Sequence, residues 1–126
     1  MSEFHGSNAD IKSASEISEE INQKLFQQDE ILQEFNLLSQ QIAQGEIELA
    51  DLQQAAMDKI PNETDPRKIS AFVKASTLKP AGVLRAAKSR RDFCRSALRV
   101  IENQVSGLQS KLSMLKTQIR MDGNAK

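Results

Sequence analysis

The chain has neither tryptophan nor tyrosine, one histidine and one cysteine. Without large amphipathic aromatics, an aromatic-lined ligand pocket has few residues to build it. A single cysteine, Cys94, excludes a disulfide scaffold and fits a reducing setting. His5 and Cys94 have no metal-ligand spacing, so no bound metal is expected. The five glycines are dispersed, so no glycine-rich loop is present to hold a phosphate or nucleotide cofactor. The longest unbroken apolar runs are three residues, against about 20 needed to span a bilayer. The first ten residues lack the apolar core of a signal peptide. These absences lead to the expectation of a soluble, cytoplasmic protein with no cofactor and no membrane contact. Net charge gives no global pull toward nucleic acid, because 17 bases balance 17 acids.

What the chain does have is periodicity. Cys94, Leu98, Ile101, Val105, Leu108, Leu112, Leu115 and Ile119 follow one another at alternating steps of four and three. That 3.5-residue repeat is the seam of a coiled coil, which keeps one stripe facing a partner helix. Upstream, Ile17, Ile21, Leu25, Leu32, Phe35, Leu38, Ile42, Leu49, Leu52, Ala56 and Ile60 form a second stripe with similar average spacing. Gln28 and Gly45 leave gaps in it, and Gly45 is a candidate bend. Residues 1–12 show no periodicity and read as a mobile arm. Ser13 and Glu16 have capping-box spacing and mark a helix start; Pro61 marks its end. Asp65-Pro66 opens a short second helix. Pro80 suits the first turn of a third helix, which Gly123 terminates in the left-handed conformation.

The predicted fold is all-α: an antiparallel long helical hairpin, coiled-coil-like, with a short helix at the tip. Its helices span 13–60, 65–77 and 80–122, within a domain over 13–122 followed by a frayed tail over 123–126. Pairing Ile60 with Pro80 sets residue i opposite about 140 − i, which places Leu49 near Arg91, Ile42 near Leu98, Phe35 near Val105 and Leu25 near Leu115. Association into a four-helix bundle is a further expectation.

Charge is sorted along the chain. The first 65 residues hold 14 acids and 3 bases, and the remaining 61 hold 3 acids and 14 bases. Such halves attract when paired with each other and repel their own copies, although each exposed ion pair contributes only about 0–1 kcal/mol. The densest basic cluster is Arg85, Lys88, Arg90, Arg91, Arg95 and Arg99. Arg91, Arg95 and Arg99 are expected to form one surface row, with Glu46, Glu48 and Asp51 as partners across the hairpin.

A second apolar line lies off the seam. Phe93, Val100, Gly107, Met114 and Met121 recur every seven residues, and Phe26, Ile31, Leu37 and Ile47 are off-seam on the first helix. Candidate partner-binding residues are therefore Phe93, Val100, Met114, Met121, Phe26 and Ile47, methionine being suited to adaptable surfaces. No residue set suggests a catalytic site: Cys94 has no adjacent base, and the paired acids such as Glu19-Glu20 belong to a solvated helix face. The expected function is a non-catalytic protein–protein interaction module (an adaptor, chaperone-like protein or assembly subunit) and a homo-oligomer, with an acidic or apolar partner surface. The alternative is a small nucleic-acid-binding accessory protein using Arg85 to Arg99.

Overall fold

The computed structural model describes the backbone of residues 2–124 and the side chains of residues 13–123. Among these residues there is no strand. The elements are α1 (Ser2–Asp58), α2 (Pro66–Ser76) and α3 (Leu78–Asn124), two long helices and one short. None of them is long and apolar enough to cross a membrane among the described residues.

α1 starts upstream of the Ser13–Glu16 box, at Ser2. Extending an existing helix fixes one residue per added hydrogen bond, so a cap-like sequence inside it need not stop propagation. The side chains of Phe4, His5 and Ile11, assigned to the expected arm, lie outside the described residues. At its other end α1 stops at Asp58 and tightens into a turn, with Lys59 N donating to Ala56 O (3.3 Å) and Ile60 N to Met57 O (3.1 Å). Pro61 has no N–H to continue the ladder and excludes helical geometry from Ile60. Asp65 caps α2 by accepting from Arg67 N at 3.0 Å, with Pro66 in the first position where no donor is needed.

The break between α2 and α3 is one residue wide and falls at Thr77, not at Pro80. Thr77 is buried, and its hydroxyl donates to Val73 O at 2.8 Å. Its carbonyl accepts from Ala81 N at 2.9 Å, so the first turn of α3 is tied to the last of α2. Pro80 sits within that first turn. Gly123 lies inside α3, and among the described residues no glycine has positive φ, so the left-handed stop expected there is absent.

The chain divides into two compact units. One combines α1 up to Leu32 with α3 from Ser96 onward. Its core is Ile17, Ile21, Ile101 and Val105, with Ile31, Leu108, Leu112 and Leu115 packed against it. The other runs from Gln33 to Arg95 and contains α2. Within it, Glu34 meets Arg90, Phe35 meets Arg95, and Glu46 meets Lys88. Gly45 faces Leu84.

Burial along each long helix keeps an unbroken four–three rhythm. On α3 it runs Leu84, Ala87, Arg91, Cys94, Leu98, Ile101, Val105, Leu108, Leu112, Leu115 and Ile119, all buried or half-buried. The seam therefore starts well upstream of Cys94. On α1 it runs Ile17, Ile21, Lys24, Gln28, Ile31, Phe35, Leu38, Ile42, Gly45 and Leu49. Two steps of four from Ile17 overshoot a 3.5-residue repeat, so Leu25 rotates out and is exposed, as are Leu32 and Leu52. Ile31, expected off the seam, takes a place in the core.

The 140 − i register is also corrected. Phe35 lies against Arg95, with the guanidinium 5.7 Å from the ring centroid, rather than against Val105. The reason is α2. The last turns of α1, through Gln53 and Met57, and the first turns of α3, through Leu78 and Ala81, both border it. They are not free to pair with each other from the ends, and the contacts between α1 and α3 shift accordingly.

Gly45 is accounted for by approach rather than by a break in α1. A Cβ there stands 3.2 Å from Leu84 Cδ1, tighter than comfortable contact, whereas nothing lies within 4 Å of a Cβ at Gly107. Gly107→Ala is expected to stabilise the protein by about 0.5–1 kcal/mol in urea unfolding, the helix-interior cost of glycine. Gly45→Ala gains less, because Leu84 must yield.

Candidate functional site

The unit containing α2 carries most of the chain's organised charge. Arg90 grips Glu34 with two nitrogens, Nε to Oε1 at 2.6 Å and Nη2 to Oε2 at 3.1 Å. Lys88 Nζ lies 3.0 Å from Glu46 Oε1. Each residue of the first pair immediately precedes a seam position, and each residue of the second follows one. The two pairs therefore flank the seam on opposite sides. Arg95 pairs along its own helix with Asp92 at 3.4 Å and covers the Phe35 ring. Arg90 also stands 5.0 Å over the Phe93 ring.

This distribution corrects the reading of Arg85–Arg99 as one patch. Arg91 does not join Arg95 and Arg99 in a surface row. It occupies a seam position, half-buried, with its Nε buried and without a hydrogen-bond partner in the structure. Lys88, Arg90 and Arg95 are engaged within the unit. Arg85 and Arg99 are exposed and form no ion pair among the described residues. Glu46, expected opposite the Arg91, Arg95 and Arg99 row, pairs with Lys88 instead; Glu34 was not anticipated, because the 140 − i register placed it near residue 106 rather than Arg90. Glu48 instead accepts from Gln44 on its own helix at 3.2 Å.

Cys94 is 1% exposed and sits beside the Glu34–Arg90 pair. Burial pushes its thiol above the ordinary 9.0, and the Glu34 charge adds to the shift. A thiol held protonated is a poor nucleophile. Glu34 is held below the ordinary 4.5, chiefly by the hydrogen bond from Arg90, with burial opposing it. Among the described residues no three of His, Cys, Asp and Glu come together as a metal-ligand set.

The six apolar candidates are all exposed: Phe93, Val100, Met114, Met121, Phe26 and Ile47. Met114 is the most open of them at 72%. They are not gathered into one cavity. Phe26 lies in a shallow depression with Glu19, Asn22 and Gln23, and Met114 shares another with Met121 and Thr117.

Two features escaped the sequence reading. One is an open groove in the α2-containing unit, walled by Leu37, Gln41, Gln44 and Leu52 of α1 and by Val83 and Ala87 of α3. The other is a run of cations along α2 and the first turns of α3. From Pro66 to Arg91 the chain has eight bases and no acid. That run is legible in the sequence, but its charges are spaced more widely than those of the Arg85–Arg99 cluster, which overlaps it.

No protein-family model matches this chain, and no curated protein or solved structure matches it.

Two outcomes are expected. Cys94 should react with a thiol reagent only at the rate of native-state opening, and at full speed in urea. Glu34, with its folded pKa below the unfolded one, contributes stability that is present above about pH 4.5 and is lost as pH falls through the depressed value. Acid unfolding followed by circular dichroism should lose that increment in the wild type, whereas Glu34→Gln should show a flatter dependence over the same range.

Proposed function

We propose that this protein is a non-catalytic protein–protein interaction module, an antiparallel helical hairpin that presents exposed helix faces to a partner. An adaptor, a chaperone-like protein or an assembly subunit fits this description. The hairpin is supported by the order of the contacts in the α2-containing unit: residues 34–35 of α1 meet 90–95 of α3, while residues 45–46 meet 84–88. Advancing along one helix retreats along the other.

One observation carries the functional reading. A single position of the α3 repeat is occupied by Phe93, Val100, Met114 and Met121, and all four are exposed. A helix whose seam is already covered has no folding reason to repeat large apolar residues on another face. A second face of this kind is what a helix needs when it contacts a further helix. The simplest partner for that face is a second copy, giving a four-helix arrangement. Sorted charge favours it, since an acidic α1 set between two basic α3 helices has attractive neighbours on both sides. Use of Lys88, Arg90 and Arg95 in internal contacts favours protein binding over the nucleic-acid alternative.

Replacing Met114 and Met121 together by lysine should lower the sedimentation coefficient to that of a monomer at tens of micromolar, with helicity unchanged by circular dichroism. An unaltered oligomer would remove this line from the contact. A wild-type chain that stays monomeric at every concentration would remove self-association.

A further inference from the structure

The end of the α2-containing unit combines features that the exposed α3 line does not share. The last turns of α1, the whole of α2 and the first turns of α3 enclose an open groove of about 530 Å³. Its apolar lining includes Met57, Ile69, Val73 and Leu78, with Lys74 and Arg85 beside them and no acidic residue. Met57 and Leu78 are exposed although they face this concavity. Lys74 and Arg85 at the groove, and Arg67, Lys68 and Lys79 elsewhere on α2 and the first turn of α3, are all exposed. None of the five forms an ion pair among the described residues. The sequence has no acid between Asp65 and Asp92, and the acids nearest in the chain, Asp58, Glu63 and Asp65, are not part of the lining.

We propose that this groove binds an acidic amphipathic helix of a partner protein. The inference rests on the interaction-module reading and names a partner chemistry for it. The lining offers room for apolar anchors spaced i, i+3, i+4 and i+7, and Lys74 and Arg85 beside it meet carboxylates on the flanks of such a helix. Nucleic acid fits less well: the groove has no aromatic side chain for base stacking, and a phosphate backbone leaves the apolar lining uncovered. A bilayer surface fits less well too, because it meets projecting apolar residues, whereas Ile69 and Val73 are half-buried. Three helices already form the walls, so one more helix closes the groove.

The test titrates the full-length protein into a fluorescein-labelled synthetic helix bearing leucines at i, i+3, i+4 and i+7 flanked by glutamates, read by anisotropy. The control peptide has the same composition, with the leucines scattered around the helix. Saturable binding of the first peptide, weakened by salt, is expected, with the control weaker by about tenfold or more. Lys74→Glu combined with Arg85→Glu, both at exposed positions, should also weaken binding by about tenfold or more. Met57→Gln should weaken it severalfold with little change in salt dependence. Equal binding of both peptides, or indifference to the charge reversals, overturns the proposal. So does tighter binding of a single-stranded DNA oligomer or of phosphatidylserine vesicles that is lost in the same variants. Met114→Lys with Met121→Lys should leave peptide binding unchanged. If those two substitutions abolish self-association while no peptide binds, the groove assignment fails and the module reading stands. If both experiments are silent, both fail.

Discussion

Every other feature of this protein depends on one repeated act of burial. Along α3 from Leu84 to Ile119, and along α1 from Ile17 to Leu49, side chains turn inward at alternating intervals of four and three residues. Long helices have no core of their own and are stable in water only when such a stripe is covered. The stripe is not purely apolar: Lys24, Gln28 and Arg91 occupy seam positions and are half-buried. Long side chains can do this by laying their methylenes along the apolar surface while the polar end reaches outward. Polar seam residues lower stability but restrict the registers in which two helices pair. Arg91, whose Nε is buried without a partner, is the clearest instance.

The ion pairs act beside the seam rather than in place of it. Glu34–Arg90 and Glu46–Lys88 lie on its two flanks and are substantially exposed, so solvent screens them and each contributes little. Their value is positional. Two such pairs are satisfied together by only one placement of α3 along α1, and that placement also brings Leu84 against the bare backbone of Gly45. It seats Cys94 beside Glu34, where burial keeps the thiol protonated.

Once the seam is covered, what remains on the outside differs in kind between regions of the chain. The repeated apolar position on α3 is a line of exposed side chains, suited to lying against another helix. The groove beside α2 is concave and apolar, with Lys74 and Arg85 at it and no acid in its lining. The proposed self-association and the proposed acidic-helix groove therefore rest on different residues and different chemistry, and both follow from surface left over after the helices pair.

The periodicity from Cys94 to Ile119 was enough to announce a long helix with one buried face, because a coiled-coil seam is a local pattern of side-chain identity. Asp65-Pro66 was likewise enough to start α2, since capping and a missing N–H are properties of adjacent residues. The exposure of Phe93, Val100, Met114 and Met121 could be read from their spacing relative to that seam. Tertiary structure alone decided which residues meet. Nothing local told Phe35 to lie by Arg95 instead of Val105, because register depends on how α2 separates the helix ends. Nor could spacing by apolar residues alone reveal that Lys24 and Arg91 take seam positions while Leu25 and Leu32 turn out. Burial follows helical phase, and phase ignores side-chain chemistry until the partner helix is in place.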